Sequence, residues 1–173
     1  MYKRQSQGRI KRSHLSDYVK INRNGKYAIK FAKDSDSLVQ VRPATEEDHV
    51  VLVSSMGYAC RFLPSEAKTR VDAATGESVT THTVRVQGRV SQGVAGMKLQ
   101  SGDRVVGMIV TDDFDTSVLT ISKHGMAKRS RLGSGSMVEI KLEDGTIAQG
   151  DDGGPLMERD GYRKTNRGTK GVR

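Results

Sequence analysis

Short stretches of apolar residues, many of them β-branched, recur along the chain and alternate with polar residues. The runs at 50–53, 84–86, 118–121 and 137–142 have the length and alternation that are typical of half-buried strands. Asn-Gly, Gly-Asp, Asp-Gly and Gly-Gly-Pro sequences lie between such runs and favour tight turns. The pattern therefore predicts an all-β fold.

Two segments carry more specific predictions. Residues 137–142, followed by Asp144-Gly145 and by the strand-like residues 146–148, predict a β-hairpin with a two-residue turn. Residues 65–71 predict at most one helical turn, and no longer helix is predicted anywhere in the chain.

A glycine followed four positions later by an arginine marks an internal repeat. Downstream of the first two copies, residues 25–31 also align with residues 93–99. The period is about 50 residues between the first two copies, and a polar insertion at 72–83 lengthens the second interval. The marker pairs are Gly8 with Arg12, Gly57 with Arg61, and Gly125 with Arg129.

Repeats of about 50 residues with four short strands each are typical of propeller blades. We predict one partial propeller-like domain over 1–173, with blades of about four antiparallel strands at about 1–48, 49–115 and 116–173, the third truncated. No apolar strand is predicted before Gly8, and the third repeat ends where its last strand should begin. Closed propellers have four to eight blades. The chain is therefore expected to be a fragment, or to need partners that cover its open edges.

Charge is unevenly distributed within the net charge of +9. Residues 1–33 hold ten Lys and Arg against one acid, residues 34–127 have a net charge of −3, and residues 128–173 have a net charge of +3. The basic residues at the start alternate with strand-like apolar ones, which predicts a folded basic surface rather than a disordered arm.

Several classes of protein and of site are disfavoured by the composition. No apolar run approaches the roughly 20 residues of a membrane span, and no apolar segment of a signal peptide follows the charged start. The single cysteine, Cys60, excludes an internal disulfide and a multi-cysteine zinc site, and it is expected to pack in the core. We therefore expect a soluble, cytoplasmic protein that does not bind a membrane.

Catalytic and metal chemistry have little support in the sequence. The four histidines lack the spacing of metal ligands, and the acidic segments 46–48 and 112–115 favour solvated loop charge over a metal site. Residues 150–155 resemble the nucleophile loop of trypsin-like proteases, but Asp152 stands where the serine must be. No catalytic residue, metal or cofactor is expected in this chain.

Three stretches, 93–108, 118–129 and 167–172, resemble the C-terminal domain of the bacterial DNA gyrase A protein, and the resemblance covers nearly the whole chain. It implies a six-bladed β-pinwheel, a propeller variant with strand exchange between blades, whose basic rim wraps DNA and supports negative supercoiling. It also implies as partners double-stranded DNA, the remaining gyrase A chain and the gyrase B subunit in an A2B2 complex on the chromosome. ATP and magnesium would be used by other parts of that type II topoisomerase.

In that family one repeat carries the gyrase-A box, a Gln-Arg-Arg-Gly-Gly-Lys-Gly loop. The nearest match here is residues 165–171, which have Thr169 in place of one glycine and lack the leading Gln and Arg. Residues 23–26 resemble a degenerate copy.

The resemblance and the charge pattern together imply a set of DNA-binding residues. Glycines let a backbone approach a phosphate, and the flanking cations neutralise it. The repeated arginines would occupy equivalent blade positions, where they contact phosphates or form ion pairs between blades. The full set is Arg9, Lys11, Arg12, Arg61, Lys128, Arg129, Arg131, Arg167, Gly168, Lys170 and Gly171.

Two alternative functions remain open at this point. One is a DNA-bending domain of the topoisomerase IV type, and the other is a propeller that binds an acidic protein partner. A wrapping module should prefer duplexes long enough to bend, whereas a protein-binding module should show no such length threshold.

Overall fold

The computed structural model describes the backbone of residues 1–173 and every side chain except that of Arg4. The fold is all-β, as predicted, with a single 3₁₀ turn at Leu15–Tyr18. Among the described residues, no helix is long and apolar enough to cross a membrane. The strands are β1 (Tyr2–Gln5), β2 (Arg9–Arg12), β3 (Leu38–Arg42), β4 (His49–Ser54), β5 (Ala59–Phe62), β6 (Ala67–Val71), β7 (Ser78–His82), β8 (Val94–Ala95), β9 (Val105–Thr111), β10 (Ser117–Ile121), β11 (Ala127–Arg131), β12 (Met137–Glu139) and β13 (Met157–Arg159).

The chain divides into two compact units. The first unit comprises Met1–Asp112 together with Thr165–Arg173. It contains a four-stranded sheet of order β3-β1-β2-β8, a three-stranded sheet of order β5-β4-β9, and the hairpin β6-β7. The second unit, Asp113–Lys164, contains the two-stranded sheets β10-β11 and β12-β13.

One antiparallel hairpin recurs three times, as β1-β2, β4-β5 and β10-β11. Its turn ends on Gly8, Gly57 or Gly125, which adopt φ values of +79°, +81° and +83°. Each of these glycines donates its N–H to the carbonyl three residues earlier, over 3.0 to 3.2 Å. Glycine adopts positive φ without the steric penalty of a Cβ, which explains why it recurs at this turn.

A strand, β1, precedes Gly8, where the sequence predicts no apolar strand. Its sequence looks polar, yet Lys3 and Gln5 are buried. The amine of Lys3 donates to the carbonyl of Ala28 at 2.8 Å, and the amide of Gln5 donates to that of Gln92 at 2.9 Å. Carbonyl partners satisfy these polar ends, so burial does not require an apolar strand.

Three other local predictions have different outcomes. Most of the segment 65–71 forms strand β6, Ala67–Val71, rather than a helical turn, because the 72–83 insertion folds back as β7 and pairs with it. Residues 84–86 form no strand: Val86 forms a parallel bridge to Arg12, and Val84 is buried in the core. The hairpin predicted from 137–142 and 146–148 forms only in part: the N–H of Leu142 donates to the carbonyl of Thr146 at 2.8 Å around a three-residue loop, 143–145, rather than a two-residue turn, and 137–139 pair with 157–159 of β13 instead.

Two later segments of the chain pair with the second strand of an earlier hairpin. Strand β8 pairs with β2 through Val94 and Ile10. Val172 forms the equivalent bridge to Ala59 of β5, with N–H to carbonyl distances of 2.7 and 2.8 Å. This crossing of segments between repeats is the strand exchange of a pinwheel.

Glycines make both of these crossings possible. Gly93 and Gly171 have φ values of +76° and +86°, and a Cβ on either would lie under 3.0 Å from the carbonyl oxygen of Ile10 or Ala59, respectively. The backbone of the exchanged segment therefore approaches the hairpin more closely than any side chain allows.

The hydrophobic core lies in the first unit, between its two larger sheets. Cys60 belongs to this core and is fully buried, as expected from the sequence. The buried members are Tyr2, Ile10, Val50, Leu52, Cys60, Phe62, Val84, Met97, Val105 and Met108.

Candidate nucleic-acid interface

The three repeated arginines occupy the same register position in their hairpins. Each lies directly opposite a large side chain of the first strand, in the pairs Tyr2–Arg12, Val51–Arg61 and Leu119–Arg129. Their surroundings differ: Arg12 and Arg61 are 8% and 1% exposed, whereas Arg129 is exposed.

Arg12 lies in an ion pair rather than on an open surface. Its guanidinium donates to the carboxylate of Glu46, and its side chain is 9% exposed against 63% for that of Glu46. Its carbonyl accepts the N–H of Gln87 at 2.9 Å. Arg12 and Glu46 both lie within the first predicted repeat, so this ion pair is not the pair between blades that was the alternative for the repeated arginines.

Arg61 is enclosed by the loop that resembles the gyrase-A box. Its carbonyl accepts the N–H of Thr165 at 2.6 Å, and its own N–H donates to the hydroxyl of Thr165 at 3.1 Å. Its Nε lies 3.4 Å from Nδ1 of His49. A side chain with so little exposed surface cannot reach a phosphate as it is placed here.

Lys11 and Arg9 connect β2 to later parts of the chain. Lys11 is fully buried, and its amine donates to the carbonyls of Arg89 and Ala28. Burial lowers the pKa of Lys11 to about 8. Arg9 is half-buried and donates to the carbonyls of Gln92 and Gly93 at 3.1 and 2.7 Å. Both cations therefore help to hold the exchanged segment against its hairpin.

Most of the box-like loop, residues 165–171, is held in place by internal hydrogen bonds. Arg167 is half-buried and donates to the carbonyls of Thr83 and Ala95, with an Nε distance of 2.6 Å to the first. Desolvation lowers the pKa of Arg167. The N–H of Gly168 donates to the carbonyl of Gly96 at 2.8 Å. Among the candidates in this loop, Lys170 is the exposed cation.

Exposed cations surround this loop on the surface of the first unit. The Lys170 amine lies 4.3 Å from the centre of the Tyr58 ring, and the Arg173 guanidinium lies 6.0 Å from it. The backbone N–H of Lys98 donates to Thr169 at 2.9 Å, and the Lys68 amine lies 3.4 Å from Oδ1 of Asn166. We call this set the box-loop surface; it consists of Tyr58, Lys68, Lys98, Lys170 and Arg173.

Sequence reasoning identified only Lys170 among these five residues. Arg173 lies two residues beyond the loop, and Tyr58, Lys68 and Lys98 come from three other segments that the fold brings beside it. Lys98 could have been identified from the sequence, because it lies in the 93–108 stretch on which the family resemblance rests.

In the second unit, two of the three candidate cations on β11 are accessible. Lys128 and Arg129 are exposed. Arg131 donates to the carboxylate of Asp115 at 2.6 Å, and its Nε lies 3.8 Å from Asp160. Hydrogen bonding to Asp115 raises the pKa of Arg131. Arg131 therefore stabilises the loop before β10, while Lys128 and Arg129 remain open to solvent.

A second exposed basic segment lies between β2 and β3. It contains the degenerate copy of the box at 23–26, and all of its lysines and arginines are exposed. These cations are Lys20, Arg23, Lys26, Lys30 and Lys33.

Comparison with known proteins identifies the family. A family model described as "DNA gyrase C-terminal domain, beta-propeller" matches residues 6–45, 78–112, 116–134 and 157–173, more than half of the chain. The chain belongs to the DNA gyrase C-terminal domain family. The predicted resemblance and fold class are thereby confirmed.

Relatives of this gyrase C-terminal domain are much longer proteins. The chain is 32% identical over 168 residues to the DNA gyrase A protein of Staphylococcus epidermidis, with 96% of this chain and 14% of the relative covered. It is 30% identical over 187 residues to the DNA gyrase A protein of Rickettsia typhi, with 96% of this chain and 19% of that relative covered. The chain thus spans less than a fifth of these relatives.

Two solved structures share the fold. The DNA gyrase A C-terminal domain aligns with a TM-score of 0.63 and 21% identity, covering 98% of this chain and 41% of that one. The C-terminal domain of DNA topoisomerase IV aligns with a TM-score of 0.63 and 20% identity, covering 98% of this chain and 55% of that one.

Proposed function

We propose that this gyrase C-terminal domain is a non-catalytic module that binds and wraps duplex DNA for a type II topoisomerase and so supports negative supercoiling. The observation that carries the proposal is the box-loop surface. On it, the exposed cations Lys170 and Arg173 lie beside the ring of Tyr58, and the exposed Lys98 is joined to the same loop through its backbone hydrogen bond to Thr169. Wrapping needs phosphate contacts that do not depend on base sequence, and grouped lysines and arginines supply them.

The proposed contact residues are the exposed cations of the predicted set, extended by the residues that lie beside them. Lys170 is retained with Lys68, Lys98 and Arg173, and Lys128 and Arg129 supply a second contact region on β11. Bending a duplex costs energy. Additional phosphate contacts offset that cost, and a module with more than one contact region supplies them.

The remaining members of the predicted set have a supporting role in this proposal. Lys11, Arg12 and Arg61 are buried, and Arg9 and Arg167 donate to carbonyls of the exchanged segments. They hold the surface in shape without reaching phosphate. Gly171 serves the same purpose through its close backbone approach to the carbonyl of Ala59, and Gly168 does so through the hydrogen bond from its N–H to the carbonyl of Gly96.

The proposal extends to the enzyme in which the module acts. Its partners are duplex DNA, the remaining gyrase A chain and the gyrase B subunit, in an A2B2 complex on the cytoplasmic chromosome. Strand cleavage, ATP and magnesium belong to the other parts of that enzyme. Identity of about 30% to gyrase A proteins over nearly the whole chain supports this assignment.

Ligation of nicked circular DNA in the presence of the chain tests wrapping directly. A wrapping module traps writhe, so the ligated circles should differ in linking number from circles closed without protein. Duplexes long enough to bend should also bind more tightly than short ones. Binding without a change in linking number indicates a bending domain of the topoisomerase IV type. Absence of duplex binding, with capture of an acidic protein instead, contradicts the proposal.

A further inference from the structure

The β6-β7 hairpin lies outside the hydrophobic core of the first unit. Its two strands pair antiparallel over all five residues of each, with Ala67 opposite His82 at the base. Every residue of both strands is exposed, so the hairpin adds nothing to that core. An ordered element that core packing does not account for is a candidate for binding a partner.

The base of the hairpin is fixed beside the box-like loop. A two-stranded hairpin is only marginally stable by itself, so contacts at its base set its position. The N–H of Thr83 donates to the carbonyl of Glu66 at 2.8 Å, and Nε of Arg167 donates to the carbonyl of Thr83 at 2.6 Å. The Lys68 amine lies 3.4 Å from Oδ1 of Asn166. Two residues of the loop therefore hold the hairpin against the box-loop surface.

One face of the hairpin is basic and the other is not. Because successive side chains of a strand point to opposite faces, Lys68 and Arg70 share a face of β6. Thr81 and Val79 lie opposite them on β7 and carry no charge. Among the described side chains, no carboxylate forms an ion pair with either cation. The other face carries no lysine, arginine or acid; it consists of Ala67, Thr69, Val71, Ser78, Thr80 and His82.

The turn at the far end of the hairpin is acidic. The N–H of Asp72 donates to the carbonyl of Glu77 at 2.8 Å, and the Asp72 carboxylate accepts the N–H groups of Ala74 and Thr75. Phosphates are repelled by these two acids and attracted by the cations nearer the base. The charge distribution therefore favours a polyanion that crosses the basic face close to the box-loop surface rather than one that crosses the turn.

We infer that the basic face of the β6-β7 hairpin forms a side wall of the path that duplex DNA takes over the box-loop surface, with Arg70 on a backbone phosphate. This inference rests on the proposed function and deepens it, because it gives the 72–83 insertion a role at the same site. Residues two positions apart on a strand are separated by about 6.8 Å. That separation equals about two phosphate steps of one DNA strand, so Lys68 and Arg70 can contact the same strand without reading its bases.

The test moves one guanidinium from one face of the hairpin to the other in the full chain. Arg70→Thr removes it, and Thr69→Arg/Arg70→Thr places it on the opposite face at unchanged net charge. Both positions are exposed, and Thr69 contacts Thr80 of β7 rather than a core residue, so neither variant disturbs the core. Fluorescence anisotropy with a labelled duplex over a salt series measures the affinity, and circular dichroism confirms folding.

We expect both variants to lose one phosphate contact. The slope of log affinity against log salt should become shallower by about 0.9 in each, and the affinity should fall about eightfold at about 0.1 M salt. A swapped variant that binds like the wild type overturns the inference, because the face that carries the cation would then not matter. A wild-type slope in Arg70→Thr overturns it as well.

The same series separates this inference from the proposed function. Duplex binding that Lys98→Ala/Lys170→Ala weakens and Arg70→Thr leaves intact contradicts only the role of the hairpin. Absence of duplex binding by the wild type contradicts both.

Discussion

The amine of Lys170 lies 4.3 Å from the centre of the Tyr58 ring, at the edge of the box-like loop. Hydrogen bonds from Lys170 and then from Gln100 lower the pKa of the Tyr58 phenol below its usual value of 10.0. Both side chains lie at the solvent boundary, so a duplex that approaches the loop meets this pair directly.

The first prediction concerns this phenol. Ultraviolet titration should show a tyrosine that ionises below pH 10, and Lys170→Met should move that midpoint upward, because the strongest partner of the phenolate is lost. Arg23→Met, which removes an exposed cation of another segment, serves as the control and should leave the midpoint unchanged. An unchanged titration in Lys170→Met would show that the two groups do not interact in solution.

Arg12 should affect folding rather than DNA affinity. In Arg12→Met the ion pair with Glu46 is lost, and because Glu46 is largely exposed we expect a loss of only about 1 kcal/mol in the free energy of unfolding. The slope of log affinity against log salt should stay within about 0.3 of the wild-type slope, since a lost phosphate contact changes it by about 0.9. Fluorescence anisotropy with a labelled duplex measures this slope. A change of about 0.9 in this slope would show that Arg12 contacts a DNA phosphate.

Lys11 should make the stability of the fold depend on pH. Its pKa is lowered to about 8 in the folded chain, against 10.5 in the unfolded chain. Between these values the unfolded state binds more protons, so the free energy of unfolding should rise with pH from about 8 to about 10.5 and stay flat below about 8. Urea titrations across this range measure the rise, which Lys11→Met should remove.

Tyr2 should lower the free energy of unfolding at higher pH, which is opposite to the effect of Lys11. Burial raises its pKa to about 12, so the unfolded chain loses the phenol proton first, and stability should fall above pH 10. Tyr2→Phe should remove that fall and leave the rise due to Lys11. A stability that declines steadily from pH 8 in the wild type would contradict the assignment for Lys11.

Gly171 should be essential for the exchanged segment that covers β5. A Cβ there would collide with the carbonyl of Ala59 and would also occupy a φ of +86°. We expect Gly171→Ala to lose at least about 2 kcal/mol in the free energy of unfolding. Gly145→Ala has the same backbone strain without the collision, so it should lose about 1 kcal/mol. Equal losses in urea titrations would mean that the segment does not dock as closely as described.

The hairpins were predictable because residues close together in the sequence determine them. A glycine at the turn, an apolar run before it and an arginine four positions later specify a strand pair with one register. Strand β1 was missed because burial was judged by apolarity, and its polar side chains are satisfied by carbonyls from Ala28 and Gln92, which are distant in sequence.

The candidate interface was less predictable because strand exchange assembles it. Repeats reveal which residues are equivalent, but not that the segment around Gly93 crosses to β2 or that the segment around Gly171 crosses to β5. These crossings bury Arg12 and Arg61, which the resemblance and the charge pattern together placed among the DNA-binding candidates. They also bring Lys98 and Lys170 to one surface.

The salt dependence of duplex binding tests the central claim most directly. If Lys68, Lys98, Lys170 and Arg173 each neutralise a phosphate, they contribute about −3.5 to the slope of log affinity against log salt. Lys98→Ala/Lys170→Ala should make the wild-type slope shallower by about 2 units. The charge-matched control Lys141→Ala/Arg163→Ala, at exposed positions of the second unit, should leave it unchanged. Equal slopes in all three proteins would show that DNA does not bind at the box-loop surface.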